Sequence, residues 1–112
     1  MVSVWVGNFH SDDELDDYIN LSRQFEEDFG FELNERDMPE TSVKSVSLPI
    51  DELVKRFSWR ESYSSAVTDL AKKHGIDAAT TMVVFLNLEY QPEHTKLNEN
   101  APLQFLGAVP FK

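Results

Sequence analysis

The amino-acid sequence predicts an α+β fold: a single domain over residues 1–112, with a mostly antiparallel sheet of three to four strands packed against about three helices. Two observations lead to this prediction. Thr80–Tyr90 is the longest run of β-forming apolar residues, and its apolar side chains recur with the period of two that a strand requires. Other segments carry apolar residues at intervals of three and four, which is the spacing of an amphipathic helix.

Three segments are predicted as strands. Val2–Phe9 alternates valines with other residues, and Thr80–Tyr90 is expected to be the central strand, with one face on a core and the other partly covered. Leu103–Phe111 is the last strand, and the polar loop Gln91–Pro102 is expected to join it to the central strand as a long antiparallel hairpin. The apolar residues of the last strand are expected on one face: Leu103, Phe105, Val109 and Phe111.

The first helical region begins at a capping box. Ser11 is the predicted N-cap and Glu14 the N3 residue, and the acidic first turn suits the positive end of the helix dipole. The apolar spacing leaves two alternatives open. Either one bent helix covers Asp12–Phe29, or a second short helix starts near Ser22. In both cases Gly30 is expected to end the region.

The second helical region follows an irregular stretch. Phe31–Val46 is predicted to be a surface loop, with a short edge strand around Val43–Ser47 as an option. A helix is then expected to start within Ser47–Glu52, with a proline in its first turn. Ser58–Glu61 forms another capping box and predicts a further helix, which Gly75 is expected to end.

Composition limits where the protein acts. The chain contains no cysteine, so disulfides and thiolate metal sites are excluded. Hydrophobic residues make up 41% of the sequence, which argues against disorder. The start of the chain, MVSVWVGNFHSDD, lacks the basic region of a secretory signal, and no apolar run approaches the roughly 20 residues needed to span a bilayer. We therefore expect a soluble cytoplasmic protein with no membrane partner.

Charge is distributed unevenly along the chain. The formal net charge is −10, yet residues 1–52 contain 14 acidic and three basic side chains while the remainder is nearly neutral. This imbalance disfavours nucleic acid or an anionic membrane as the partner, because phosphate contacts need Lys and Arg. It favours a basic partner. The alternative is that the acidic residues only keep the protein soluble.

No arrangement of residues indicates catalysis or a cofactor. His10 precedes a dense acidic helix start but lacks a second histidine at a metal-ligand spacing. His74 and His94 have no adjacent nucleophile with an orienting third group. We expect no enzyme activity, no metal and no cofactor, and the alternative is an enzyme whose site is assembled from distant residues. Trp5 and Trp59 are predicted to anchor the core rather than to form exposed interface positions.

Six sequence segments are distributed over nearly the whole chain: VSVWVGNF, SDDELDDYI, FEEDFGFE, FSWRESYSS, MVVFLNLEY and LQFLGAVPF. Together, and in this order, they resemble the immunity protein 22 family of bacterial polymorphic toxin systems. The most specific pieces are the opening W-x-G-N-F with its acidic helix, the D-F-G element and the F-L-G ending. None is a catalytic motif, so the resemblance is one of overall pattern.

The resemblance implies an antitoxin-like α+β protein that is encoded beside a toxin and protects the producing cell or its kin. Toxins linked to the family are thought to include nucleases, which agrees with the preference for a basic partner. We expect stoichiometric inhibition of a cognate toxin through an acidic surface, without direct nucleic acid binding; the alternative is an acidic regulatory or scaffold module that binds a non-toxin protein. The predicted partner-binding residues are Asp12, Asp13, Asp16, Asp17, Glu26, Glu27, Asp28, Glu32, Glu35 and Asp37.

Overall fold

A four-stranded antiparallel sheet organises the fold in the computed structural model, which describes residues 1–30, 33, 39–57, 60–86, 88, 90 and 101–110. The strands are β1 (Val2–Gly7), β2 (Glu40–Pro49), β3 (Ala78–Phe85) and β4 (Leu103–Val109), in the spatial order β2-β3-β1-β4. Helices cover the sheet, so the predicted α+β fold class is confirmed.

Strand β3 is central, as predicted, but it pairs with β1 and β2 rather than with β4. Strand β4 pairs with β1, so the predicted hairpin between the last two strands is wrong. The reason lies in β1, whose first five residues are all buried. A strand that is apolar on both faces is favoured inside a sheet, where it has neighbours on both edges.

A bulge shifts the register between β1 and β4. Val4 lies opposite Gly107 and Trp5 lies opposite Phe105, so Leu106 is the extra residue. Gly107 has a φ of 154°, and a Cβ atom there would lie 2.7 Å from a Leu70 methyl group. Glycine therefore lets the bulged strand approach the helix above it.

The bulge changes which side chains of β4 share a face. Leu103 lies among the aromatic residues on one side of the sheet, whereas Leu106 and Val109 join the aliphatic residues on the other. The prediction that Leu103, Phe105 and Val109 lie on one face is therefore wrong for Val109. Phe111 lies outside the described residues.

The first helical region contains two short helices, which confirms the second of the two alternatives. Helix α1 (Asp12–Asp16) continues into a π-helical turn over Asp17–Leu21, and helix α2 spans Gln24–Phe29. Arg23 separates them in a left-handed conformation with a φ of 57°, which is uncommon for a residue other than glycine. Gly30, with a φ of 73°, ends α2 as predicted.

The second helical region starts later than predicted. The edge strand β2 runs through Pro49, because Leu48 and Pro49 pair with residues of β3, and α3 (Ile50–Leu53) begins only after it. A 3₁₀ turn (Val54–Arg56) follows, and α4 spans Arg60–Lys73. The predicted start of α4 at Ser58 lies outside the described residues.

Gly75 ends α4 as predicted. Its φ is 72°, its N–H donates to Lys72, and the N–H of Ile76 donates to Ala71. These two hydrogen bonds form a Schellman motif, which requires a left-handed residue at the position of Gly75.

Both faces of the sheet are buried, more fully than the sequence predicts for the second face. One face, with α3 and α4, forms an aliphatic layer: Val2, Val4, Val6, Ile50, Leu53, Val54, Phe57, Tyr63, Val67, Ala71, Ala79, Met82, Val84, Leu106 and Val109. The other, with α1, the π-helical turn and α2, forms an aromatic layer: Trp5, Leu15, Tyr18, Ile19, Phe25, Phe29, Val83, Phe85, Tyr90 and Leu103. Trp5 is fully buried, so its predicted role as a core anchor is confirmed, whereas Trp59 lies outside the described residues.

Candidate functional site

The outer face of α1 and the π-helical turn concentrates negative charge. Ser11 caps this segment by accepting a hydrogen bond from the N–H of Glu14 at 3.1 Å, as the capping box predicts. The apolar side chains of the segment, Leu15, Tyr18 and Ile19, are buried in the aromatic layer. Five carboxylates of the segment are exposed, and four of them, those predicted as contact residues, form what we term the acidic ridge: Asp12, Asp13, Asp16 and Asp17.

Shallow depressions flank the acidic ridge on both sides. One, of about 360 Å³, lies between the ridge and strand β2 and is lined by Asp12, Asp16 and Thr41 among others. The second, of about 590 Å³, lies between the ridge and Phe9. Asp13 lines both depressions, so this residue lies between them on the ridge.

The ridge ends in the π-helical turn. Both the N–H and the Oγ of Ser22 donate to the carbonyl oxygen of Asp17, at 2.8 and 3.0 Å. Leu21, the last residue of the turn, is 72% exposed. Arg23 follows in its left-handed conformation, and its Nε lies 2.7 Å from a carboxylate oxygen of Glu26. An ion pair therefore lies where the ridge ends.

Asp28 lies apart from the ridge, because its side chain faces the core and is only 2% exposed. It accepts hydrogen bonds from the hydroxyl of Tyr18 at 2.6 Å and from the amide of Gln24 at 3.0 Å. Burial, together with the hydrogen bond to the Asp28 carboxylate and its negative charge, raises the pKa of Tyr18 above its ordinary value. Asp28 thus supports the fold and is not part of the exposed surface.

The remaining predicted contact residues divide into two groups. Glu26 is partly buried, where it pairs with Arg23 and accepts a hydrogen bond from the N–H of Leu33 at 2.6 Å. Glu27 is exposed on α2. The other three predicted contact residues lie outside the described residues: Glu32, Glu35 and Asp37. The structure therefore brings together four of the ten predicted residues on one exposed helical surface.

Leu21 is a candidate contact residue that the sequence analysis missed. It is the most exposed large apolar residue of the described ranges. The signal in the sequence was weak, because Leu21 lies three residues after Tyr18 and so falls at the margin of the buried stripe in a regular helix. Only the π-helical turn reveals that it points outward.

The described residues contain neither a metal-binding group nor a membrane span. No three or more His, Cys, Asp and Glu side chains among them are placed to hold a metal ion. None of the helices within the described ranges has the length and apolarity to cross a bilayer. His10 is exposed, and Nε2 of His74 lies 3.0 Å from the carbonyl oxygen of Leu106, where it can donate a hydrogen bond between α4 and β4.

Comparison with known proteins adds the family to this description. Residues 2–112, nearly the whole chain, match the family Immunity protein 22. Neither the curated proteins nor the solved structures gave a match. The family match agrees with the resemblance seen in the sequence segments. The chain therefore belongs to the Immunity protein 22 family, and its role is that of an immunity protein.

Proposed function

We propose that this protein binds and neutralises a cognate toxin of a bacterial polymorphic toxin system, and that the toxin is a nuclease. Inhibition is stoichiometric, takes place in the cytoplasm and involves no turnover. Membership of the Immunity protein 22 family supports the immunity role. The acidic ridge is the observation that supports the proposed mode of binding.

The chemistry of a nuclease explains why an acidic surface suits this role. A nuclease holds phosphate groups with Lys and Arg side chains, so its substrate-binding surface is basic. An acidic inhibitor is attracted to that surface, which raises the association rate and favours the correct orientation. The same negative charge repels nucleic acid, so we do not expect this protein to bind nucleic acid directly.

The acidic ridge has the properties that such a contact requires. Its four carboxylates are exposed, and none forms an ion pair within the described part of the chain. Asp13 and Asp17 are four residues apart, a spacing at which like charges on a helix repel each other. A basic partner relieves this repulsion on binding, so the charges gain more from a complex than from the free protein.

The first experiment is co-purification with the product of the gene immediately upstream, together with a toxicity-rescue assay. We expect a one-to-one complex that abolishes toxicity. The association rate constant is then measured between about 0.01 and 1 M salt, where screening shortens the Debye length from roughly 30 to 3 Å. Electrostatic attraction predicts a steep fall in the association rate.

A matched pair of variants locates the attraction on the ridge. The double substitution Asp13→Asn and Asp17→Asn is expected to lower the association rate about tenfold at low salt. Its control, Asp51→Asn with Asp69→Asn, changes the net charge equally at exposed positions of α3 and α4, across the sheet. Equal effects of the two variants would contradict a contact at the ridge. Absence of both complex and rescue would instead favour a regulatory module with a different partner.

A further inference from the structure

Leu21 combines strong exposure with an unusual backbone setting. Its exposure of 72% exceeds that of Val46, at 62%, and of Met1, at 42%, the other exposed large apolar residues of the described ranges. Single apolar residues on a surface are common and need no explanation by themselves. What distinguishes Leu21 is its position at the end of the acidic ridge, within a segment that departs from regular helical geometry on both sides of it.

The π-helical turn determines where Leu21 points. The hydrogen bond from Ser22 N–H to the Asp17 carbonyl spans five residues, so the turn holds one residue more than an α-helical turn. In a regular α-helix Leu21 would lie beside Tyr18, three residues earlier, near the buried stripe. The wider turn instead leaves Leu21 on the exposed side, four residues after Asp17.

Irregular backbone flanks Leu21 on both sides. Leu21 is the last residue of the π-helical turn, and Arg23, two residues later, lies in the left-handed region and pairs with Glu26. Single π turns occur often at functional sites, and residues in sparsely populated backbone regions cluster at ligand-binding and switch positions. The fold thus holds an apolar side chain outward at the end of the acidic ridge.

We propose that Leu21 is the apolar anchor of the contact with the cognate toxin, and this inference rests on the proposed function above. The partner is a protein surface with an apolar pocket bordered by Lys or Arg side chains. Leu21 fills the pocket, while Asp13 and Asp17 meet the basic residues at its border. The charge of the ridge selects this occupant, because a second copy of the same acidic surface would be repelled.

The two kinds of residue are expected to act on different rate constants. A buried apolar anchor surrounded by polar contacts holds a complex together and so determines its dissociation rate. Charges at the border of a contact act mainly on association and on its salt dependence. Leu21 is therefore separable from the acidic ridge by kinetics, although they lie on one helical segment.

The test uses the full-length protein and the purified upstream toxin in a surface-based kinetic assay. Leu21→Ala is expected to raise the dissociation rate constant about tenfold or more, with little change in the association rate or its salt dependence. Leu21→Met keeps an apolar side chain of similar volume and is expected to restore slow dissociation. Val46→Ala, the matched control at the other strongly exposed aliphatic residue, is expected to change dissociation less than twofold.

The outcomes separate this inference from the proposed function. If the toxin complex of Leu21→Ala dissociates at the same rate as the wild-type complex, the anchor is overturned but the immunity role stays intact. Absence of a wild-type complex overturns both. A homodimer of the isolated protein, seen by sedimentation and dissociated by Leu21→Ala, assigns Leu21 to self-association and also overturns the anchor. Circular dichroism checks that each variant folds, which the exposure of Leu21 favours.

Discussion

The two layers of this protein are built differently. The aliphatic layer packs under α4, a regular helix of 14 residues. The aromatic layer packs under three helical segments of five, five and six residues, which are too short to be stable alone. Large rings and specific hydrogen bonds therefore determine the shape of the layer that carries the acidic ridge, whereas non-directional packing suffices for the other.

The aromatic layer is centred on Trp5. The indole lies 4.8–5.5 Å, between ring centroids, from five other rings: Phe25, Phe29, Phe85, Tyr90 and Phe105. Several of these pairs are edge-to-face, an arrangement that adds to the energy of burial. Since two of the rings belong to α2, the position of that helix depends on Trp5.

Hydrogen bonds add direction to this packing. The Ser3 hydroxyl donates to the carbonyl of Leu88 at 2.7 Å and accepts from the N–H of Tyr90 at 2.9 Å. The Tyr90 hydroxyl in turn donates to the carbonyl of Phe29 at 2.5 Å, at the end of α2. Strand β1, the segment after β3 and the end of α2 are thus joined by buried polar groups, whose loss is costly.

The largest expected effect is the loss of the central ring of the aromatic layer. Trp5→Ala is expected to lower the free energy of unfolding by about 3–5 kcal/mol, a large fraction of the stability of a typical domain. Urea denaturation measures this change. Leu53→Ala, at a fully buried position of the aliphatic layer, is the control and is expected to cost about 2–5 kcal/mol.

Hydrogen exchange then shows where each substitution acts. A milder variant, Trp5→Phe, is expected to speed amide exchange in residues 15–29 more than in α4, because the short helices open locally when their central ring is reduced. Leu53→Ala is expected to speed exchange in α4 instead. If both variants speed exchange uniformly, the two layers unfold as one unit and the contrast between them fails.

A smaller effect is expected for the buried carboxylate. Asp28→Ala removes the acceptor for Tyr18 and Gln24, and is expected to cost about 1–3 kcal/mol because buried donors lose their partner. Asp28→Asn keeps one acceptor oxygen and is expected to cost less. The control is Glu27→Ala, the exposed neighbour on the same helix, with an expected change within 0.5 kcal/mol. If urea denaturation gives similar changes in the free energy of unfolding for Asp28→Ala and Glu27→Ala, the structural role of Asp28 is contradicted.

The sequence predicts those parts of the fold that local signals determine. The N-cap at Ser11, the helix end at Gly75 and the burial of Trp5 follow from residue type and spacing, and all three are confirmed. Local signals do not predict which strand pairs with β4, because strand pairing depends on which strand offers a free edge. The bulge at Leu106 also escapes prediction, since a single extra residue reverses the expected faces.

The candidate site divides in the same way. Exposure of Asp13 and Asp17 follows from their position opposite Leu15, Tyr18 and Ile19 on the helix. The burial of Asp28 can be predicted from the sequence, since Asp28 lies three residues after Phe25 and next to Phe29, on the apolar face of α2. The exposure of Leu21 cannot be predicted, because it depends on a π-helical turn that the sequence does not signal.

The smallest expected effect concerns one exposed charge on the helices that cover each layer. Asp17→Asn removes the repulsion from Asp13 and is expected to stabilise the protein by about 0.2–0.5 kcal/mol. Asp69→Asn in α4 makes the same chemical change, but Asp69 precedes Lys73 by four residues, where opposite charges attract. That substitution is expected to destabilise the protein by a similar amount.

Thermal denaturation at low salt measures both changes, as melting temperatures that move in opposite directions by about 1–3 °C. Both shifts are expected to shrink near 1 M salt, where exposed charges are screened. Opposite signs would mean that the acidic ridge retains charge at the expense of stability, whereas α4 uses charge to support its own helix. A surface that serves only solubility gives no reason for that asymmetry, but binding to a basic partner does. Stabilisation by Asp17→Asn with unchanged toxin binding would show instead that the repulsion at the ridge has no function in recognition.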